Sequence, residues 1–207
     1  MTASAPAPDP RRWRALSVML MGQFAALLDV SVTNVALPSI GRSTGAGASE
    51  LQWIVTGYVL AFALVPVIGG RLGDQRGRRR IFRIAVLGFV IASAAVGLAP
   101  NAGLLIAARV VQGLFGGMMG PQVSGFIQNA FPAWERGRAF GRLGLTVGAG
   151  TALGPVIAGL LIAAGGPEIG WRLVFFINVP VGIAAVLLAR RWVPADEDRP
   201  EPMVDLK

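Results

Sequence analysis

A chain of 207 residues that is 54% hydrophobic and 14% charged, with a mean hydropathy of +0.60, falls well short of the roughly 25% charge of a soluble domain, so much of its surface faces something other than water. It has no cysteine and no histidine, which excludes disulfides, thiolate chemistry and imidazole as a metal ligand or proton carrier, and leaves any proton chemistry to carboxylates. Its net charge of +8 is almost wholly arginine, with Lys207 the one lysine, and the arginines lie in short loops and ends between long apolar runs, an arrangement that argues against nucleic-acid binding.

Residues 1–10 (MTASAPAPDP) are rich in Pro and Ala and read as a disordered N-terminus that extends through Arg11, Arg12 and Arg14. The first apolar segment, about Ala15 to Pro38, is too long for the apolar part of a secretory signal and is followed by more of its kind, so it reads as an uncleaved membrane helix. Five further spans of near the ~20 residues needed to cross a bilayer are predicted at about Leu51–Gly70, Ile81–Ala99, Ala102–Phe126, Leu143–Ala164 and Leu173–Ala189. Arg109 and Gln112 interrupt the fourth and should face the protein interior, because lipid rejects them. Many of the 28 glycines fall inside the spans, where they permit close helix packing. The tail, Val193 to Lys207, is rich in Pro, Asp and Glu and reads as a linker ending about where another helix would begin. The expected organisation is a cytoplasmic N-terminus over residues 1–14, a six-helix membrane domain over 15–189 and a cytoplasmic linker or tail over 190–207.

Charge asymmetry fixes an expected orientation. With the N-terminus inside, the cytoplasmic segments carry Arg11, Arg12 and Arg14. They also carry six arginines around the second loop (Arg71, Arg76, Arg78, Arg79, Arg80 and Arg83). Arg136, Arg138 and Arg142 follow in the fourth loop, and Arg190, Arg191, Arg199 and Lys207 after the last span. The opposite side has only Arg42 and Arg172. By the positive-inside rule both termini are cytoplasmic.

Four patterns carry chemistry. The run GRLGDQRGRRR, Gly70 to Arg80, holds five arginines around Asp74. Gly70, Gly73 and Gly77 would let a loop turn tightly against a neighbouring helix; a loop that only sets topology is the plainer alternative. LIAARVVQGLFGG, Leu105 to Gly117, places Arg109, Gln112 and Gly113 on one helix, where the guanidinium either takes part in function or simply pairs helices. GRLGLTVGAGTALGPVIAG, Gly141 to Gly159, sets Gly150, Gly154 and Ala158 on one smooth face beside Pro155, a pattern that ordinary packing also uses. Asp29, in LDVSVTNVALP (Leu28 to Pro38), is the one acid within an apolar span. A carboxyl group withdrawn from water holds a proton more readily, which makes Asp29 a candidate proton carrier. It lies nine residues before Pro38 and Arg109 seven after Ala102, depths of about 13 and 11 Å from the outer ends, so contact requires only that the two helices adjoin. A fixed structural ion pair is the alternative. Asn34 and Gln112 are candidates to line the same path.

These patterns resemble the major facilitator superfamily of transporters. GRLGDQRGRRR is similar to the signature between its helices 2 and 3, with Gly70, Leu72, Asp74, Arg76, Gly77, Arg78 and Arg79 in place. Arg109, Gln112 and Gly113 resemble its helix 4 pattern, in which the arginine is linked to proton transfer. Gly141, Gly150, Gly154, Pro155 and Gly159 resemble its antiporter motif, with Ala158 replacing the first of two paired glycines. LDVSVTNVALP, LQWIVTGYVLAFA (Leu51 to Ala63) and WRLVFFINVPVG (Trp171 to Gly182) look like the fourteen-helix drug:proton antiporter branch.

The resemblance implies an all-α membrane protein forming the N-terminal six-helix bundle, two three-helix inverted repeats, in the cell membrane. It also implies efflux of lipophilic drugs or metabolites by alternating access. Asp29 and Arg109 would couple it to protons, Asn34 and Gln112 would line the substrate cavity, and Gly70, Gly73, Asp74, Arg76, Gly77, Arg78 and Arg79 would form a conformational switch. No cofactor beyond the proton gradient is implied. The expected partners are membrane lipid, a small lipophilic substrate and either a C-terminal half or a second copy, with no nucleic acid. The alternative is a truncated or split fragment without transport of its own. No Ser-His pair, paired carboxylates or phosphate-binding loop suggests an enzyme.

Overall fold

The computed structural model describes residues 9–194, and all the regular structure among them is helical. The disordered reading of residues 1–8 and the tail beyond Pro194, with Arg199 and Lys207, lie outside the described residues. The helices are α1 (Arg12–Thr44), α2 (Ala48–Leu64), α3 (Pro66–Arg76), α4 (Arg78–Leu98), α5 (Ala102–Ala130), α6 (Ala133–Phe176) and α7 (Asn178–Trp192). Five helical stretches are long and apolar enough to cross a bilayer, and the bent α2–α3 pair makes a sixth.

The helices depart from the predicted spans at their ends and breaks. The second span bends by 45° between α2 and α3, where Pro66 opens α3 and cannot donate a backbone bond to the helix before it. The run Gly70–Arg80, expected as a loop, is nearly all helix: α3 reaches Arg76, α4 begins at Arg78, and Gly77 alone separates them at φ 91°. That conformation suits glycine and strains any other residue, so one glycine turns the chain where a longer loop was expected. Arg136, Arg138 and Arg142, also expected in a loop, lie on the first turns of α6. The fifth and sixth spans cover Ala133–Gly166 and Glu168–Trp192, divided by Gly166 at φ 70°. Inside the sixth span Pro180 has no N–H for the carbonyl of Phe176, so a helical bond is lost there, although Ile177 between α6 and α7 keeps a helical φ of −61° and ψ of −27°.

Packing is built on α1 and α5. α1 lies chiefly against α6, with α7 and α5 on its other sides, while α5 packs on α2, α3 and α4. Small residues set the distances. A methyl group added at Gly113 would strike the Tyr58 carbonyl of α2, and one at Gly117 would strike the Phe62 carbonyl. On α6, Gly150 faces Leu27 and Leu28, and Gly154 faces Ser31; Ala158 is buried with Leu28, Val32 and Val174. The smooth face predicted for residues 150, 154 and 158 therefore seats on α1. Gly141 and Gly159 meet nothing within 4 Å, and Pro155 is exposed.

Elsewhere the bundle is bare and apolar. Only 17% of the apolar window of the fifth span is buried; Leu145, Val156 and Leu160 stand outward from it, as do Leu64, Val67 and Ile68 from α2 and α3. Gly113→Ala should destabilise the bundle by about 1–3 kcal/mol, the usual cost of overpacking, whereas Gly144→Ala, with nothing within 4 Å, should leave it unchanged. Thermal unfolding of both variants in detergent micelles checks the difference; equal melting temperatures would remove close approach as the constraint.

Candidate functional site

Asp29 and Arg109 meet in the middle of the bundle with side chains 0% and 1% exposed. The Arg109 Nη1 donates to Asp29 Oδ2 and, at 2.8 Å, to Gln112 Oε1. Arg109 Nε donates to the Ile54 carbonyl at 3.3 Å. Its guanidinium lies over the Tyr58 ring at 4.0 Å and the Phe175 ring at 5.7 Å. The other carboxylate oxygen, Asp29 Oδ1, accepts from Gln112 Nε2 and Asn178 Nδ2, both at 2.9 Å. Asn178 Nδ2 also donates to Ser93 Oγ at 3.1 Å, and the Ser93 hydroxyl donates to the Phe175 carbonyl at 2.9 Å. The Tyr58 hydroxyl donates to the Ala26 carbonyl at 3.2 Å. Every span but the fifth thus contributes an atom, and the fifth lies against the Asp29 turn of α1.

Local sequence places these groups. Arg109 and Gln112 are three residues apart on α5 and so share a face. Gly113, next to Gln112, lets α2 come close enough for the Ile54 carbonyl to reach Arg109 and for Tyr58 to lie beneath it. Asn178 opens α7, and its amide reaches Asp29 of α1 and Ser93 of α4.

The site brings Asp29, Arg109 and Gln112 together but separates the two cavity candidates. Gln112 is fully buried and its amide serves the ion pair. Asn34 is exposed and its amide donates to its own helix, at the Val30 carbonyl, 3.3 Å away. The sequence patterns do not single out Ser93, Asn178 or Tyr58. Asn178 sits in WRLVFFINVPVG as a lone amide between apolar residues, and Tyr58 is the only tyrosine of the chain; both are the kind of polar atom that a span rarely carries without a partner.

The expected switch residues form a second cluster at the arginine-rich end. Asp74 pairs with Arg78 one turn further along the chain, and Arg78 Nη1 donates to the Pro121 carbonyl of α5 at 3.0 Å. Gly73 is pressed on the Gln122 side chain, whose Nε2 donates to the Gly69 carbonyl at 2.7 Å. Gly70 lies 3.7 Å from the Pro121 side chain by the same measure of an added methyl. Arg79 Nη2 reaches the Arg190 carbonyl at 2.6 Å, and Arg76 is exposed. Gln122 and Pro121 are the α5 half of this clasp, and sequence reading passed over them because a glutamine near a helix end costs little.

A bilayer-length helical bundle clamped by a buried ion pair, with a glycine-hinged basic turn at one end, defines one half of a membrane transporter fold. The chain belongs to the major facilitator superfamily, whose model matches residues 19–204. It is 43% identical over 205 residues to a probable actinorhodin transporter of Streptomyces coelicolor, an alignment spanning 99% of this chain and 36% of the relative. It is 41% identical to the puromycin resistance protein pur8 of Streptomyces alboniger, over 94% of this chain and 38% of that one. The chain spans little more than a third of the length of these relatives. Among solved structures, the inward-open xylose transporter XylE from E. coli superposes with a TM-score of 0.77 at 17% identity, covering 89% of this chain and 48% of that one.

Removing one partner of a buried ion pair typically costs about 3–5 kcal/mol, because the other charge is left uncompensated. Arg109→Met should therefore sharply lower folded yield and melting temperature in detergent, and Asp29→Asn combined with Arg109→Gln should recover much of the loss. A single variant that melts like the parent would show that the pair does not hold the bundle.

Proposed function

We propose that this six-helix unit is the N-terminal half of a proton-coupled exporter of lipophilic drugs or metabolites, in a cell membrane with both ends on the cytoplasmic side. The observation that carries the reading is Asp29, an acid fully buried in a bilayer-length helix and held by one arginine and two amides. Relatives described as antibiotic transport and resistance proteins support the direction and the substrate class, and the excess of arginine at one end of the bundle supports the orientation.

The geometry suggests how a proton could act. The ionised Asp29 accepts bonds from Arg109, Gln112 and Asn178, and these hold α1 to α5 and α7. A proton on the carboxyl removes the attraction to Arg109. The guanidinium still has the Gln112 Oε1, the Ile54 carbonyl and the Tyr58 and Phe175 rings, so it survives the loss of its counter-ion. The α1–α5 tie is then the one that weakens, and a change of access driven by that loosening is the proposed coupling step. The clasp of Asp74, Arg78 and the Pro121 carbonyl joins α3, α4 and α5 at the end where such a change would be felt.

The uncovered face of the fifth span, together with the share of the relatives that the chain spans, favours a unit that transports only with a second bundle, either a C-terminal half or another copy. Expression of the 207-residue chain in a pump-deficient bacterium is expected to give no drug resistance, and co-expression with the remaining half of a relative to restore it. In a full-length relative that keeps the pair, the substitution equivalent to Asp29→Asn should reduce efflux driven by a proton gradient to background while drug binding persists. Undiminished coupled efflux would exclude Asp29 as the carrier.

A further inference from the structure

The arginine-rich end contains a cavity of about 1110 Å³ between α3, α4, α5 and α7. Six arginines line it, Arg76, Arg78, Arg79, Arg80, Arg83 and Arg190, and among the described lining residues the only acid is Asp74, which is already engaged by Arg78. Arg83 lies one and a half turns into α4, about 7 Å along the axis from Arg78 at the usual rise per residue. Its Nε is buried with no hydrogen-bond partner. It also lies within the electrostatic reach of Arg190 and Arg79. Orientation in the membrane needs basic residues near the interface, and exposed ones suffice. It does not call for cations that converge from α4 and α7 on one hollow, where like charges repel.

We propose that this hollow binds the phosphate of an anionic phospholipid, with the acyl chains lying along α4. A guanidinium presents a planar fork of donors that matches phosphate oxygens, and basic hollows between membrane helices suit anionic headgroups. The choice of a lipid over a free phosphate comes from the wall. Ile84 and Leu87 line the cavity itself, and together with Ile91 they stand outward on one face of α4, at 44%, 48% and 62% exposure. An apolar strip therefore runs from the bilayer-facing surface into the arginine cluster. That shape accepts an amphiphile with its charged group at the cluster and its hydrocarbon on the strip. The site is separate from the Asp29–Arg109 pair and does not depend on the transport reading.

The test is lipid titration of the purified full chain in detergent, read by native mass spectrometry, with phosphatidylglycerol and phosphatidylcholine of identical chains. Phosphatidylglycerol should bind at least about fivefold more tightly, the effect of roughly one well-placed cation near a membrane surface. Arg83→Gln should remove most of that preference, and Arg83→Lys, which keeps the charge but not the planar fork, should keep part of it. Arg190→Gln supplies the same comparison if Arg83→Gln folds poorly. Millimolar inorganic phosphate should leave the bound lipid in place. Equal binding of the two lipids, an unchanged preference in both glutamine variants, or complete displacement by inorganic phosphate would each overturn the proposal.

Discussion

The bundle is organised around the need to keep one carboxylate and one guanidinium out of water. Each ion withdrawn from solvent costs several kcal/mol unless charge and hydrogen bonds replace its hydration, and a bilayer-length core offers no water to do it. Here the carboxylate of Asp29 takes bonds from Arg109, Gln112 and Asn178, and the guanidinium adds a backbone carbonyl and two aromatic faces. Those groups come from α1, α2, α5, α6 and α7, with Ser93 on α4 holding the Asn178 amide. The rotation and depth of five spans are therefore fixed by one satisfied pair. A helix that turned by one residue would leave a buried ion short of a partner.

Close packing is what allows so dense a network. Membrane helices gain little from excluding lipid from one another, so their contacts rely on small residues and polar bonds. Gly113 and Gly117 bring α5 onto the α2 backbone, and the same approach carries the Ile54 carbonyl to Arg109. Gly150 and Gly154 do the equivalent for α6 on α1, lying against Leu28 and Ser31 on either side of Asp29 in the chain. The Ser31 hydroxyl completes that contact by donating to the Thr151 carbonyl at 2.8 Å. The antiporter-like glycines and the ion pair thus act on one element. α1 is held on one side by shape and on the other by charge.

What could be read from the sequence follows the cost of each residue in lipid. Asp29, Arg109 and Gln112 stood out because a charge or amide inside an apolar run is expensive, and the cost itself demands an explanation. Ser93 and Asn178 are cheaper, because a hydroxyl or amide can bond within its own helix, as Asn34 does with Val30; which of them reaches Asp29 instead depends on how the sixth span is set against α1 and α4. The adjacency of α1 and α5 also had to come from tertiary structure or from family resemblance, since equal depth alone permits contact without requiring it. Charge at a helix end is an ambiguous signal for a loop. Arg71, Arg76, Arg78 and Arg79 are helical, because guanidiniums at a membrane interface can reach water from a helix as easily as from a turn. Pro66 is a local signal for the bend, hidden inside a span whose hydropathy is continuous.

One side chain type meets two different requirements in this molecule, and the contrast explains the division between its middle and its end. Arg109 is enclosed, and its surroundings supply every kind of partner a guanidinium uses: a carboxylate, an amide oxygen, a carbonyl and aromatic faces. Those partners come from several helices, which ties the helix positions to one side chain. At the other end, Arg78 finds a partner in Asp74 and a carbonyl, while Arg83 and Arg190 share a hollow with no second acid among the described lining residues. The protein meets the demand of the guanidinium internally in the middle of the bundle. It leaves that demand open where the surrounding membrane offers phosphate.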